Sequence, residues 1–146
     1  MPDLPTAHES IYTRLFEEWS DAGQTAPIMV AERPQDPLAA AFNSTGGPWL
    51  RLSVNHTTGD QATLGGAGSR RFRRGGQIFV QVFTPAEDDD GIGEANDLAK
   101  VVQTIFEGVS FDGVKCYASV PRPLDTDDAR WIGVLVEISF TYDETK

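Results

Sequence analysis

The sequence predicts an α+β fold, in which a mixed or antiparallel sheet of about four to five strands packs against two helices. Residues 6–22 and 94–107 each place apolar side chains on one face of a helix. Residues 49–55, 77–83 and 131–142 instead alternate apolar and polar side chains, as half-buried strands do. A chain of this length forms one domain, so residues 1–146 are predicted to share a single core.

The first helix is predicted over residues 6–22. Thr6 and Glu9 have the spacing of a capping box, in which each side chain binds a backbone amide left free at the start of a helix. Gly23 provides the end, since glycine readily adopts the left-handed conformation that closes a helix. The apolar residues on its buried face are Ile11, Leu15, Phe16 and Trp19.

The second helix is predicted over residues 94–107 and shows the clearest periodicity in the chain. Acidic residues before it suit the positive end of the helix dipole, and Gly108 follows its last turn. Its apolar stripe consists of Ala95, Leu98, Ala99, Val102, Ile105 and Phe106. We expect this stripe to pack against the sheet face formed by the long alternating strand at 131–142.

Shorter segments complete the predicted order of elements. Residues 27–31 form a short apolar run, and residues 33–48 are rich in Pro, Ala and Gly and predict a loop. Residues 114–120 predict a strand, and residues 121–128 predict a turn that leads into the last strand.

Residues 57–76 interrupt this regular pattern. The segment contains six glycines and the densest cluster of positive charge in the chain. Structureless loops longer than about 12–15 residues are uncommon in compact domains unless they have a function. The sequence therefore predicts either a long β-hairpin or a flexible arm.

Composition excludes several classes of partner. Lys and Arg number 12 against 22 Asp and Glu, so the formal net charge is -10. Such a balance disfavours broad non-specific binding to nucleic acid or to an anionic membrane. The first 20 residues lack the apolar run of an export signal, and no stretch of about 18 apolar residues predicts a membrane span. The single cysteine, Cys116, fits a protein made in the reducing cytoplasm.

No pattern of residues predicts a catalytic, cofactor or metal site. His8 and His56 lie far apart in the sequence and fit no metal-ligand spacing, so both are predicted to be structural. Cys116 is predicted to be a small buried residue. The glycines at 65, 66 and 68 resemble a phosphate-binding loop but lack its Lys-Ser/Thr ending and a following helix.

Two charged clusters remain as candidate contact sites. Arg70, Arg71, Arg73 and Arg74 flank Phe72, and such a segment can grip nucleic acid or pair with carboxylates of a neighbouring copy. The acidic composition favours the second interpretation. The run at Asp88, Asp89 and Asp90 lacks the alternating spacing of an EF-hand, and a solvated turn before the second helix is the favoured interpretation.

The order of these motifs resembles the tail terminator, or tail completion, proteins of long-tailed bacteriophages, the family of the lambda-type minor tail protein U. The likeness covers most of the chain and follows the opening helix with P-I-M-V-A, P-W-L-R-L-S-V and A-T-L-G-G. Then come R-R-F-R-R-G, the strand G-Q-I-F-V-Q-V-F-T-P, an acidic turn, the helix with A-N-D-L-A and the long final strand. The 33–47 stretch and the doubled arginines depart from typical members, which leaves phage, prophage and gene transfer agent open as sources.

This resemblance implies a non-enzymatic virion protein at the head-proximal end of the tail. Such subunits assemble into a ring, usually a hexamer, that caps the tail tube, ends tube polymerisation and offers a docking face to the head connector. The Arg70–Arg74 segment would contact another subunit or the tube. Asp88, Asp89 and Asp90 would face the channel, where like-charge repulsion lets DNA pass without binding. Another neck or tail subunit, a nucleic-acid-binding module and a small enzyme remain as alternatives.

Overall fold

The computed structural model describes residues 3–30, 47–86, 91–124 and 131–146. Most of the predicted loop at 33–48 lies outside the described residues, as do Asp88, Asp89 and Asp90 and the end of the turn predicted at 121–128.

Helix α1 spans Leu4–Asp21 and begins two residues earlier than predicted. The predicted cap is wrong, since Asp3 and not Thr6 precedes the helix, and the Asp3 carboxylate accepts a hydrogen bond from the Thr6 amide at 2.9 Å. Pro5 in the first turn needs no amide partner, which allows the earlier start. Gly23 follows with a φ of 78°, as the predicted helix end requires.

The described strands form one six-stranded mixed sheet in the order β1-β2-β3-β6-β5-β4. β1 (Ile28–Val30) runs parallel to β2, and every other neighbouring pair is antiparallel. The remaining strands are β2 (Trp49–Gln61), β3 (Arg71–Pro85), β4 (Ser110–Phe111), β5 (Val114–Leu124) and β6 (Trp131–Thr145). The α+β class with a mixed sheet is thus confirmed, while the expected four to five strands are too few, because β1 and the two-residue β4 each add an edge.

Helix α2 spans Gly91–Phe106 and packs on β3 and β6. Its predicted apolar stripe is confirmed, since all six residues of the stripe are buried. They join one core cluster with the alternating side chains of β6, which include Val134, Val136, Ile138 and Phe140. Gly108 follows with a φ of 69° and donates its amide to Tyr117.

Helix α1 packs beside α2 and buries its apolar residues in the same core. Ile11 and Leu15 are fully buried beside the residues of α2. Two polar side chains fix its position, because Arg14 Nε donates to the Ile105 carbonyl at 2.8 Å and Trp19 Nε1 donates to the Ala26 carbonyl at 3.0 Å. Phe16, predicted to be buried, is 40% exposed because it lies beyond the edge of the buried face.

The segment at 57–76 is a β-hairpin. β2 and β3 pair from Trp49↔Phe83 to Gln61↔Phe72, so the flexible-arm alternative is wrong. The hairpin was invisible to apolar periodicity because its distal half leaves the core and carries polar side chains on both faces. The turn predicted to begin at Pro121 is also wrong at its start, because β5 continues beside β6 to Leu124.

Candidate functional site

The β2–β3 hairpin projects its distal half beyond the helix-covered core. The irregularity between His56 and Thr58 marks the point where it leaves the core, and residues 57–69 are exposed. The two strands are joined through residues 62–70, where Ser69 donates its amide to Gly66. Leu64 in this loop is 96% exposed. The result is a protruding, hydrogen-bonded ribbon with a large apolar side chain near its tip.

The root of the hairpin requires glycine. At Gly76 an added Cβ would collide with the Asn55 carbonyl oxygen and would lie 2.8 Å from His56 Cα. These are backbone atoms of the paired strand, so they cannot swing away as a side chain can. Gly76 therefore sets how closely β3 approaches β2 at this point.

We expect Gly76→Ala to lower the free energy of unfolding by about 1–3 kcal/mol, as overpacking of a tight site does. Gly66→Ala is the matched control, because no atom lies within 4 Å of an added Cβ there. Urea denaturation of the two variants and the wild type measures the effect. Equal midpoints for Gly76→Ala and Gly66→Ala would contradict this account of the hairpin root.

Arg71, Arg73 and Arg74 lie on β3, between β2 and β6, and Arg70 directly precedes this strand. Arg71 and Arg73 both approach Asp143 of β6, with N···O distances of 3.8 and 3.2 Å. The hydrogen bond to Asp143 raises the pKa of Arg73 above its ordinary value, so this guanidinium stays charged. The register of β3 with β6 places these side chains beside acids of the same chain.

Arg74 lies on the opposite face of the hairpin from Arg73. Its Nε donates to the Glu144 carboxylate at 3.3 Å, and its guanidinium lies 5.3 Å from the ring centre of Phe72. Lys146 approaches the same carboxylate at 3.5 Å and exchanges two backbone hydrogen bonds with Arg70. Lys146 is thus hydrogen-bonded to the residue that precedes β3.

The distal hairpin retains positive charge despite these ion pairs. Together, residues 57–74 and 143–146 carry five basic side chains against three acidic ones. The basic ones are Arg70, Arg71, Arg73, Arg74 and Lys146, and the acidic ones are Asp60, Asp143 and Glu144. Because the whole chain has a net charge of -10, this ribbon is a positive feature on a negative protein.

Four side chains from α1, β2 and β6 meet at the root of the hairpin. His8 Nε2 lies 3.2 Å from His56 Nδ1, and the two rings are nearly parallel, with centres 5.0 Å apart. The outer nitrogens contact tyrosine hydroxyls, His8 Nδ1 that of Tyr12 at 3.3 Å and His56 Nε2 that of Tyr142 at 3.0 Å. This row of side chains, the histidine relay, links α1 to β2 and β6.

A cleft of about 540 Å³ adjoins the histidine relay. Its lining includes the relay residues His56 and Tyr142, the first residues of α1, and the charged side chains Arg74, Glu144 and Lys146. Burial lowers the pKa of His56, and the nearby His8 and Arg74 lower it further. Burial also raises the pKa of Tyr142, so its hydroxyl stays protonated near neutral pH.

The remaining candidate residues do not form a reactive centre. Cys116 is buried on β5, and burial raises the pKa of its thiol to about 12. The glycines at 65, 66 and 68 lie in the hairpin loop and lead into strand β3, unlike a phosphate-binding loop, which leads into a helix. Within the described ranges, no three His, Cys, Asp or Glu side chains converge as metal ligands. No helix in the described part of the chain is long and apolar enough to span a membrane.

Comparisons with known proteins bear on the fold. No protein family and no curated protein matches the sequence. One similar solved structure, of a protein whose name states no activity, has a TM-score of 0.59 over 93% of this chain and 92% of that chain. The identity between the two sequences is 18%, so the likeness shows the fold alone. The arrangement of two helices on a mixed sheet is thus shared with a known structure.

Proposed function

We propose that this protein is a structural virion subunit that caps the head-proximal end of a phage tail tube as a ring. Its partners in this proposal are the tube protein and the head connector. The observation that carries the proposal is the preformed β2–β3 hairpin, which extends from the core and carries positive charge and an exposed leucine. A rigid arm of this kind loses little conformational freedom on binding, which favours a stable contact with a neighbouring subunit or the tube.

The arrangement of charge supports contact with protein. Arg71 and Arg73 share Asp143 yet remain 45% and 58% exposed. Each guanidinium therefore has donors available for a carboxylate on another chain. A protein with ten excess negative charges offers such carboxylates on every copy of itself. A ring with head-to-tail contacts needs two complementary surfaces on one subunit, and this charge distribution supplies both signs.

The same contacts weigh against the nucleic-acid alternative. Arg71, Arg73 and Arg74 already pair with Asp143 or Glu144, which reduces the charge that is available to phosphates. The negative charge of the whole chain opposes DNA at long range. We propose that DNA passes through the ring without sequence-specific binding, with Asp88, Asp89 and Asp90 facing the channel.

The enzyme alternative would use the histidine relay and its cleft. However, the facing nitrogens of His8 and His56 are occupied by each other, and their outer nitrogens contact tyrosine hydroxyls. The raised pKa values of Tyr142 and Cys116 make both poor nucleophiles near neutral pH. These observations favour a structural role for the relay.

Purified protein should form rings on its own at high concentration or when mixed with tail tubes. Negative-stain images of tubes made with and without the protein test this directly, because a terminator fixes tube length by binding at one end. A subunit of the tube itself would lengthen tubes, and a connector-docking protein would leave their length unchanged. Absence of both rings and tube binding would overturn the proposal.

A further inference from the structure

The histidine relay joins three elements at the point where the hairpin leaves the core. His8 comes from the second turn of α1, His56 from the irregular position of β2, and Tyr142 from β6. The relay is part-buried, and its central contact joins two residues that are 48 positions apart in the sequence. It is therefore a polar tether between the first helix and the hairpin root.

The hydrogen bonds restrict where the protons lie. In a neutral pair each ring carries one N–H, and each contact along the relay needs one donor. If His8 Nε2 donates to His56 Nδ1, then His56 Nε2 donates to Tyr142 and Tyr12 donates to His8 Nδ1. If the central bond runs the other way, both rings instead carry the proton on Nδ1. Either way, the two neutral histidines share the same tautomer.

One added proton preserves all three contacts, and a second does not. In the first arrangement, a proton added to His8 Nδ1 turns the Tyr12 hydroxyl from donor to acceptor, and no hydrogen bond is lost. When both rings are charged, an N–H on His8 faces an N–H on His56 across 3.2 Å. The contact then joins two like charges and has no acceptor, so it becomes repulsive.

We propose that the His8–His56 pair is a pH-operated latch between α1 and the root of the hairpin. The latch holds α1 to the hairpin root while the pair carries at most one added proton, and α1 is released when both rings are charged. The latch is a property of the isolated chain and goes beyond ring formation, so its test stands whether or not the protein caps tails.

The cleft beside the pair holds charges of both signs. Arg74 of β3 and Lys146 are cations, and Asp3 at the N-cap of α1 and Glu144 of β6 are anions, while Tyr12 and Tyr142 contact the outer nitrogens. The pKa of His56 is lower in the folded protein than in the unfolded chain, so the unfolded chain binds more protons on acidification. The contribution of His56 to stability is thus complete above its unfolded value of about 6.5 and is lost as pH falls from there to the folded value.

Nitrogen-15 NMR of the wild-type protein tests the proton arrangement without any substitution. The chain has only two histidines, so the imidazole signals are assigned without ambiguity to this pair. We expect one shared tautomer at neutral pH and two protonation steps separated by more than about one pH unit. Opposite tautomers, or two independent titrations with the same midpoint, would refute the latch.

Hydrogen exchange tests the release. On passing through the second protonation step, amides at residues 6–8 and 56–61 should exchange at least about tenfold faster relative to α2, after correction for intrinsic rates. The factor follows because one pKa unit of coupling changes an equilibrium tenfold. The double variant His8→Gln/His56→Gln keeps donors and acceptors but does not titrate, and should lose this step. Glu9→Gln, one residue from His8, is the control and should retain it. Acid-induced opening that persists in the double variant would assign the effect to carboxylates and overturn the proposal.

Discussion

A Val102→Asp variant should be unfolded, or should unfold at far lower temperature and denaturant concentration than the wild type. Val102 is 0% exposed and lies on the face of α2 that packs against the sheet. The new carboxylate would have no cationic partner in this apolar cluster, and it would either remain charged without solvation or take up a proton. We expect a loss of at least about 4–5 kcal/mol, which is a large part of the stability of an ordinary domain.

The control is Asn96→Asp, which introduces the same group at an exposed position of the same helix. The new charge of this variant stays in contact with solvent, so its stability should stay close to that of the wild type. Circular dichroism melts of the two variants give the comparison. Leu98→Asp is a weaker test, because Leu98 borders a cleft and its replacement has a shorter path to water. Cooperative melting of Val102→Asp at the wild-type temperature would mean that α2 does not bury this face.

The elements with an apolar period were the most predictable. In α2 and β6 the buried positions repeat at the period of their own structure, so local sequence and tertiary packing agree. The distal hairpin offers no such signal, because residues 57–61 and 71–74 pair with each other outside the core. Their strand structure depends on partner strands. A shift of one residue in the pairing register would change which charged side chains lie beside each other. The sequence therefore left the hairpin and the flexible arm as equal alternatives.

The histidine relay shows where sequence reasoning about a site stops. His56 continues the alternation of Leu50, Leu52 and Val54, which already placed it on the core side of β2. His8 lies one helical turn before Tyr12, and this spacing places both on one face of α1. Each side was thus open to prediction, whereas their meeting was not, because the packing of α1 over the root of β2 is a tertiary contact. The pairing of Arg71 and Arg73 with Asp143 was hidden for the same reason.

A double variant, Arg71→Ser/Arg73→Ser, should fold like the wild type and fail to assemble. Both arginines are substantially exposed, and their shared partner Asp143 is reached by solvent, so the ion pairs contribute little to stability. Arg74 is left in place, because Glu144 is only 15% exposed and would lose a partner in a more buried setting. The expected change in unfolding free energy is within about 1 kcal/mol.

Assembly is expected to respond differently, because contacts that are desolvated on binding depend strongly on charged hydrogen bonds. Removing two arginines from an interface costs several kcal/mol when their carboxylate partners stay buried, enough to reduce ring formation or tube capping about a hundredfold or more. Arg122→Ser is the matched control. Arg122 is 54% exposed and pairs with Glu137 at 2.8 Å, but it lies on β5, which is separated from β3 by β6. Sedimentation and tube-length measurements on both variants, beside a salt titration of DNA binding, separate the alternatives. If the double variant capped tubes normally, the two arginines would not be part of the interface. Salt-sensitive DNA binding that is lost only in the double variant would instead favour the nucleic-acid interpretation.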